Sequence, residues 1–381
     1  MAQRTFKARL HDAVADPAHT DSPPGPRLHG LPEPLRLALD SRQLPGLNGV
    51  RAICAGLVVF YHLGVPRVPG GYGVLAFFVL SGFLITWLML HEDRAHGRVS
   101  LKAFYVRRSL RIFPAFYAYW IAAVGVWWLA NRYASAKPVD WGQAVASLTY
   151  TTNYFQALVR NPDSVLSHTW SLAIEEQFYL LWPLGFLVLG RRWRAVGLVA
   201  GIVAVTLHRQ QLYWLHGNEN WAYEAFDGRA DHLLYGCLLA VALWEGRWQG
   251  LWRRVCTPWA MLLTALTLVV STQLGISVHG YRNVVGFTVD PVLTSLLIVQ
   301  AMASRDWRGA RWLHHRWMET LGSWSYSTYL YQQLAIGFAS RLPVGVGLLF
   351  GVAFTYGCAG ASYRFIERPF LLLKSRFRRV D

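Results

Sequence analysis

The sequence reads as an all-α, polytopic integral membrane bundle of about ten transmembrane helices, and three observations carry that reading. Hydrophobic residues make up 54% of the 381-residue chain and charged residues only 15%. Apolar runs long enough to cross a bilayer, which takes roughly 20 residues per helix, recur from residue 47 to residue 363. Arginines gather in the short segments between alternate runs, the asymmetry that marks cytoplasmic loops.

The same distribution decides what the net charge of +16 means. A nucleic-acid binder would present its cations as a continuous basic patch. Here they are dispersed between spans, so the expected partner is the lipid bilayer and no nucleic acid. Four cysteines (Cys54, Cys237, Cys256, Cys358) include no CxxC pair, which suggests neither a disulfide framework nor a zinc site, and no metal is expected. The N-terminus lacks the short apolar core of a cleavable signal peptide, so the first span is expected to direct insertion.

Residues 1–46 are rich in Pro, His, Asp and Arg, with DSPPGP in the middle. They offer too little apolar surface to offset the entropy of ordering, and are expected to form a mobile cytoplasmic tail. At most, LPEPLRLALD forms a short interfacial helix.

The stretch from Leu47 to Gly64, LNGVRAICAGLVVFYHLG, organises the rest. Arg51 and His62 are eleven positions apart, roughly 16 Å of helix axis and nearly one face. Ionisable groups inside a membrane helix usually face a bundle interior or polar cavity. The plainer alternative is that Arg51 snorkels to the interface while His62 makes an ordinary hydrogen bond.

A Pro/Gly turn, VPRVPGG, leads into a second span from Tyr72 to His91. Ser81 and Gly82 lie mid-span, where Gly82 either packs helices or lets a ligand approach the backbone. The following loop carries Arg94, Arg98, Lys102, Arg107, Arg108 and Arg111 before a span over Ile112 to Ala130. Topology alone accounts for such a loop, yet Arg107, Arg108 and Arg111 at helical spacing also suit an anionic ligand, because guanidinium forks match phosphate. The weakly apolar segment from Trp141 to Leu158 reads as an interfacial or re-entrant helix within an outer loop.

HTWSLAIEEQFYLLWPLGFLVLG, His168 to Gly190, is a span expected to stop at RRWR. Ser171, Glu175, Phe178 and Tyr179 share one of its faces, and Glu176 pairs with Glu175. Further spans are expected over Ala195 to Leu215, Asp231 to Glu245, Pro258 to Ser277, Asn283 to Met302, Leu321 to Ser340 and Val344 to Tyr363. Asp231 follows Arg229 closely enough to pair with it. Residues 47–370 thus form one membrane domain, 371–381 a basic cytoplasmic tail, and both termini fall in the cytoplasm.

These motifs, taken in order, resemble the acyltransferase-3 family of integral membrane O-acyltransferases. The likeness rests on Arg51 and His62 within LNGVRAICAGLVVFYHLG, then FFVLSGFLIT, RRSLRIFPAFY, HTWSLAIEEQFYLLWP, GRADHLLYG, SWSYSTYLYQ and FIERP. It implies transfer of an acyl group, often acetyl from acetyl-CoA, to a hydroxyl of a cell-surface glycan or related acceptor in a bacterial inner (plasma) membrane. Carried over by motif, His62 matches the essential histidine and Arg51 its basic partner. Arg107 and Arg111 match the donor-side arginines, and Glu175 and Glu176 the acidic pair. Asn48 and Gln332 depart from the pattern, which more often has aspartate and histidine there.

The expected site is therefore His62, Glu175 and Glu176 for catalysis, Arg51, Arg107 and Arg111 for acyl-CoA, and Ser81, Gly82, Ser171 and Tyr179 around the substrate. A neutral imidazole can take the proton of an attacking hydroxyl, and a covalent acyl-His intermediate is a further route. The competing expectation is a non-enzymatic membrane carrier of a lipid-linked glycan, using the same residues to bind sugar and phosphate.

Overall fold

A computed structural model describes residues 26–41, 44–134, 137–159, 164–375 and 377. Among them every regular element is a helix, the outcome a bilayer imposes on a chain that must satisfy its backbone polar groups within each segment. In chain order, α1 (Glu33–Asp40) precedes α2 (Leu47–His62), α3 (Gly70–His96) and α4 (Leu101–Ala134). Two short helices, α5 (Trp141–Leu148) and α6 (Thr152–Val159), lead to α7 (Thr169–Trp214), α8 (Glu219–Glu224), α9 (Phe226–Trp244) and α10 (Gln249–Val255). Then come α11 (Pro258–Ser277), a π-helical turn (Arg282–Gly286) running into α12 (Phe287–Ala303), and a 3-10 turn (Arg308–His314). The chain closes with α13 (Arg316–Ala339), α14 (Val344–Ser362), a second π turn (Tyr363–Glu367) and α15 (Arg368–Ser375).

Helix α3 is the most enclosed of the long apolar helices. It crosses α9 so closely that a Cβ at Gly82 would sit 1.9 Å from the Leu233 carbonyl oxygen, and one at Gly236 2.0 Å from that of Val79. Only glycine fits on either side of that crossing. The Trp182 indole of α7 donates to Thr86 Oγ1 of α3 at 2.9 Å, so three helices are fixed around one core.

Six helices are long and apolar enough to cross a membrane by length and composition: α3, α4, α7, α11, and those that begin at Arg282 and Val344. This falls short of the expected ten, for identifiable reasons. Helix α2 has only 16 residues. Helix α9 carries Asp227, Arg229, Asp231 and His232, and α13 is rich in Ser, Thr, Tyr and Gln. Both are largely surrounded by other helices, so polar residues are tolerated that lipid would not accept.

The expected stop before RRWR appears as a break within α7, beyond which a second helical stretch covers the span expected over Ala195 to Leu215. Gly190, at φ 56° and ψ −179°, breaks its helical geometry, and beyond the break Arg191 and Arg194 reach Asp93 at the end of α3, at 3.3 and 3.5 Å. The segment from Trp141 to Leu158 folds as two short helices, the first capped by Asp140 Oδ1 accepting from the Gln143 amide at 3.0 Å.

The expected mobile tail over 1–46 divides in two. Residues 1–25 lie outside the described residues. From Arg27 onward the chain is packed: its amide donates to the Trp244 carbonyl at 2.8 Å, and Leu28, Leu31, Leu35 and Leu39 are buried. The i, i+4 spacing of Leu35 and Leu39 gives α1 one apolar face, which lies against α12. At the other end α15 packs on α4, so 371–375 belongs to the folded body.

Candidate functional site: a charged cavity at the Arg51 end of α2

A cavity of about 100 Å³ opens between α2, α3, α4, α7 and α13. It collects seven of the ten residues expected from sequence: Arg51, Ser81, Arg111, Ser171, Glu175, Glu176 and Tyr179 all line it. The spacing on α7 explains the acidic and hydroxyl wall, since Ser171, Glu175 and Tyr179 recur every four residues and project one above another. From α3, Ser81 donates to Glu175 Oε1 at 2.7 Å, fixing one carboxylate oxygen. Ser171 Oγ lies 2.5 Å from the Tyr329 hydroxyl of α13, and that hydroxyl donates to the His168 carbonyl at 2.9 Å.

Three cations face these groups. Arg51 has Arg111, Glu175, Tyr179 and Glu367 as its electrostatic neighbours, and Arg108 stacks on Tyr179 with its guanidinium carbon 4.8 Å from the ring centroid. Guanidinium groups so held keep donor edges for a ligand. Arg107 was expected here and is not. Its guanidinium points to the other side of α4, pairing with Glu92 at 2.7 Å and donating to the Phe377 carbonyl at 3.2 Å. Arg108 takes the place expected of Arg107, because residues three apart (Arg108, Arg111) face the cavity while the i, i+4 partner turns away.

Gly82 is likewise absent from the lining. Its free face is filled by the α9 backbone, so its role is helix packing, not ligand approach.

His62 also stands apart, eleven residues along α2 from Arg51 and outside the cavity lining. It is half-buried, with Nδ1 2.9 Å from the Val58 carbonyl oxygen. A carbonyl only accepts, so a neutral imidazole bonded there carries its proton on Nδ1 and leaves the Nε2 lone pair available. Gln332, which stands where the motif often has histidine, adjoins His62; its buried amide otherwise has no hydrogen-bond partner among the described residues. Asn48, the other departure, donates to Glu319 at 2.7 Å and so ties the start of α2 to α13.

Sequence reasoning passed over Glu367 and gave Arg229 the wrong partner. Glu367, within FIERP, is buried and accepts from Ser327 at 2.5 Å, and it faces Arg111 and Arg51. Its signal was an acid at the head of a basic, amphipathic tail. Arg229 does not pair with Asp231. Arg209 takes that carboxylate at 2.7 Å, both side chains being fully buried. Arg229 is instead caged by aromatic rings, at 4.0 Å from Phe287 and 4.8 Å from Tyr223, with none of its three guanidinium nitrogens hydrogen-bonded among the described residues.

Fold and cavity together define a helical membrane protein that gathers arginines and carboxylates in its interior and holds an imidazole at the far end of the same helix. Residues 44–372 match the sequence profile of the acyltransferase domain, and the chain belongs to that acyltransferase-3 family. It is 30% identical over 358 residues to the O-acetyltransferase OatA of Staphylococcus aureus strain NCTC 8325 / PS 47, covering 86% of this chain and 57% of that protein. A protein of S. aureus strain COL, provisionally named an O-acetyltransferase, is 30% identical over 353 residues with the same coverage. The chain therefore spans little more than half the length of these relatives. No solved structure matches it.

Proposed function

We propose that this protein is a membrane O-acyltransferase that moves an acyl group, acetyl in the first instance, from cytoplasmic acyl-CoA to a hydroxyl of a cell-surface glycan. The observation that carries this reading is the layout of α2. Arg51 lines an arginine-rich cavity at one end, and His62, its Nδ1 held 2.9 Å from the Val58 carbonyl oxygen, stands at the other. Acyl-CoA has the matching shape, with phosphates at one end and a thioester at the tip of a slender arm. Arg51, Arg108 and Arg111 would hold the phosphates by charge-assisted bonds. Glu175, oriented by Ser81, and Glu176 limit the positive charge of the cavity.

At the other end, His62 Nε2 takes the proton of the acceptor hydroxyl as its oxygen attacks the thioester carbonyl carbon. The carbon–sulfur bond then breaks and the departing thiolate receives that proton from the imidazolium. The chain is read as lying in a bacterial inner membrane with both termini cytoplasmic. About ten crossings result when α2, α9 and α13 are counted and α7 is counted once on each side of Gly190.

The test is thiol release from acetyl-CoA by purified protein, with and without a cell-surface glycan extract. Glycan-dependent release that disappears in His62→Ala, while that variant still binds acetyl-CoA, supports the proposal. Release by His62→Ala at the wild-type rate overturns the catalytic assignment. Glycan binding by a wild-type protein indifferent to acetyl-CoA would favour a carrier.

A further inference from the structure

A second cavity, larger at about 350 Å³, opens at the opposite end of the bundle from Arg51. The turn after α2, the last turns of α11 and the π turn into α12 enclose it. Four features suit it to one kind of ligand. The first is a carboxylate: Asp290 is buried, and its Oδ1 accepts from Ser271 Oγ at 2.6 Å, while no donor among the described residues reaches Oδ2. Gly286 keeps space open there, since even a Cβ at that position would come no closer than 3.6 Å to Oδ2.

The second is an aromatic platform. Tyr61 lines the cavity and is 53% exposed, while Gly70 packs so closely against the base of its side chain that a Cβ there would come within 2.4 Å of Cγ. Third, Arg282 lies over the Tyr223 ring at 4.7 Å from its centroid, which orients the guanidinium while its N–H edges meet no hydrogen-bond acceptor among the described residues. Fourth, the wall is built from non-standard backbone: the π turn at Arg282–Gly286 and the left-handed Arg67 at φ 59°. Both kinds of irregularity concentrate at functional sites.

A ring to stack on, a carboxylate with an open oxygen and an oriented guanidinium together recognise a hydroxyl-rich pyranose. A lipid chain would leave Asp290 Oδ2 and the Arg282 guanidinium without partners, and a simple anion would satisfy Arg282 but not the Asp290 carboxylate. We infer that this cavity seats a glycosyl unit of the acceptor, stacked on Tyr61 and hydrogen-bonded through its hydroxyls to Asp290 and Arg282. The assignment rests on the acyltransferase reading for its place in the reaction, but the binding itself does not. Tyr61 is the neighbour of His62 on α2, with ring centroids 5.1 Å apart, so a sugar seated on it lies beside the imidazole. Asp290 binds the sugar and takes no part in the bond that changes.

Two measurements separate the site from the reaction. In the first, Ile276, which lines the cavity and is 49% exposed, is replaced (Ile276→Cys) after Cys256→Ser and Cys358→Ser remove the partly accessible native thiols. Labelling by a membrane-impermeant maleimide is followed with and without a soluble cell-surface polysaccharide extract. The inference predicts slower labelling with the extract at position 276, and none of this protection for Val344→Cys, 91% exposed outside the cavity. Equal rates at position 276 overturn it.

In the second, Asp290→Asn should raise KM for the extract about tenfold, the loss of one charge-assisted hydrogen bond, with KM for acetyl-CoA unchanged. An effect confined to the donor overturns the assignment. Protection at position 276 in a protein that transfers no acetyl would keep the glycan site and sink the acyltransferase reading.

Discussion

Gly82→Ala puts the packing of the core to a direct test, because both neighbours at that crossing are backbone and neither can rotate away. The added Cβ would lie 1.9 Å from the Leu233 carbonyl oxygen and 2.8 Å from its carbon. Ordinary contact needs about 3.4 Å, so α3 and α9 must part by roughly 1.5 Å, forfeiting a large share of the dispersion contacts along the pair. Overpacking of this kind costs about 3 kcal/mol at the upper end of the usual range, and alanine's better helix propensity returns about 1 kcal/mol. The net loss of about 2 kcal/mol should lower the thermal midpoint of the purified protein by several degrees and shift Ser81 away from Glu175. Gly357→Ala, with nothing within 4 Å of its added Cβ, should be neutral or slightly stabilising. Thermal scans of the two variants in the same detergent provide the assay. A Gly82→Ala protein as stable as wild type would refute the close crossing, and a stable variant that had lost only ligand binding would restore the ligand-approach role.

Three further outcomes follow from the same contacts. Arg108→Ala and Arg111→Ala should each raise KM for acetyl-CoA about tenfold or more by removing a charge-assisted contact, whereas Arg107→Ala should lower thermal stability and leave that KM unchanged, since Arg107 is tied to Glu92. Asp231→Ala should leave Arg209 buried and uncompensated, a loss of about 3–5 kcal/mol read as failure to accumulate folded protein, with Arg209→Met/Asp231→Leu recovering part of the yield. Burial lifts the carboxyl of Glu224, in the short helix α8, to about 7 from an ordinary 4.5. The fold therefore favours its protonated form, a contribution complete below 4.5 and lost as pH rises through 7. Glu224→Gln should match wild type in thermal scans near pH 4 and exceed it near pH 8.

The core of this arrangement was legible because membrane helices announce themselves by composition and because i, i+4 spacing fixes a face. The wall of Ser171, Glu175 and Tyr179 could be drawn from the sequence of α7 alone. What failed to show depended on which neighbour a face meets. Arg107 and Arg108 are adjacent in sequence, and only the docking of α4 decides that Arg108 enters the cavity while Arg107 meets Glu92. Gly82 suited either a ligand or a helix until α9 was seen to fill the space. Asp231 belonged with Arg229 by proximity in sequence, yet Arg209, 22 residues earlier, lies opposite it. Spans were expected over Asp231 to Glu245 and Leu321 to Ser340, and α9 and α13 lie there; both carry polar residues because their surroundings are protein, so length and composition alone mark only six helices as able to cross a membrane. The packed segment from Arg27 to Asp40 was hidden by the polar stretch before it.

The central claim is that donor and acceptor meet along α2 from opposite ends, and sidedness tests it most directly. Wild-type protein would be reconstituted into sealed vesicles, sorted by orientation, with glycan extract inside and labelled acetyl-CoA added outside. With the Arg51 end outward, the account predicts label on the enclosed glycan, none with His62→Ala, and none when the orientation is reversed. Label transferred only when donor and acceptor share one side of the membrane would contradict it.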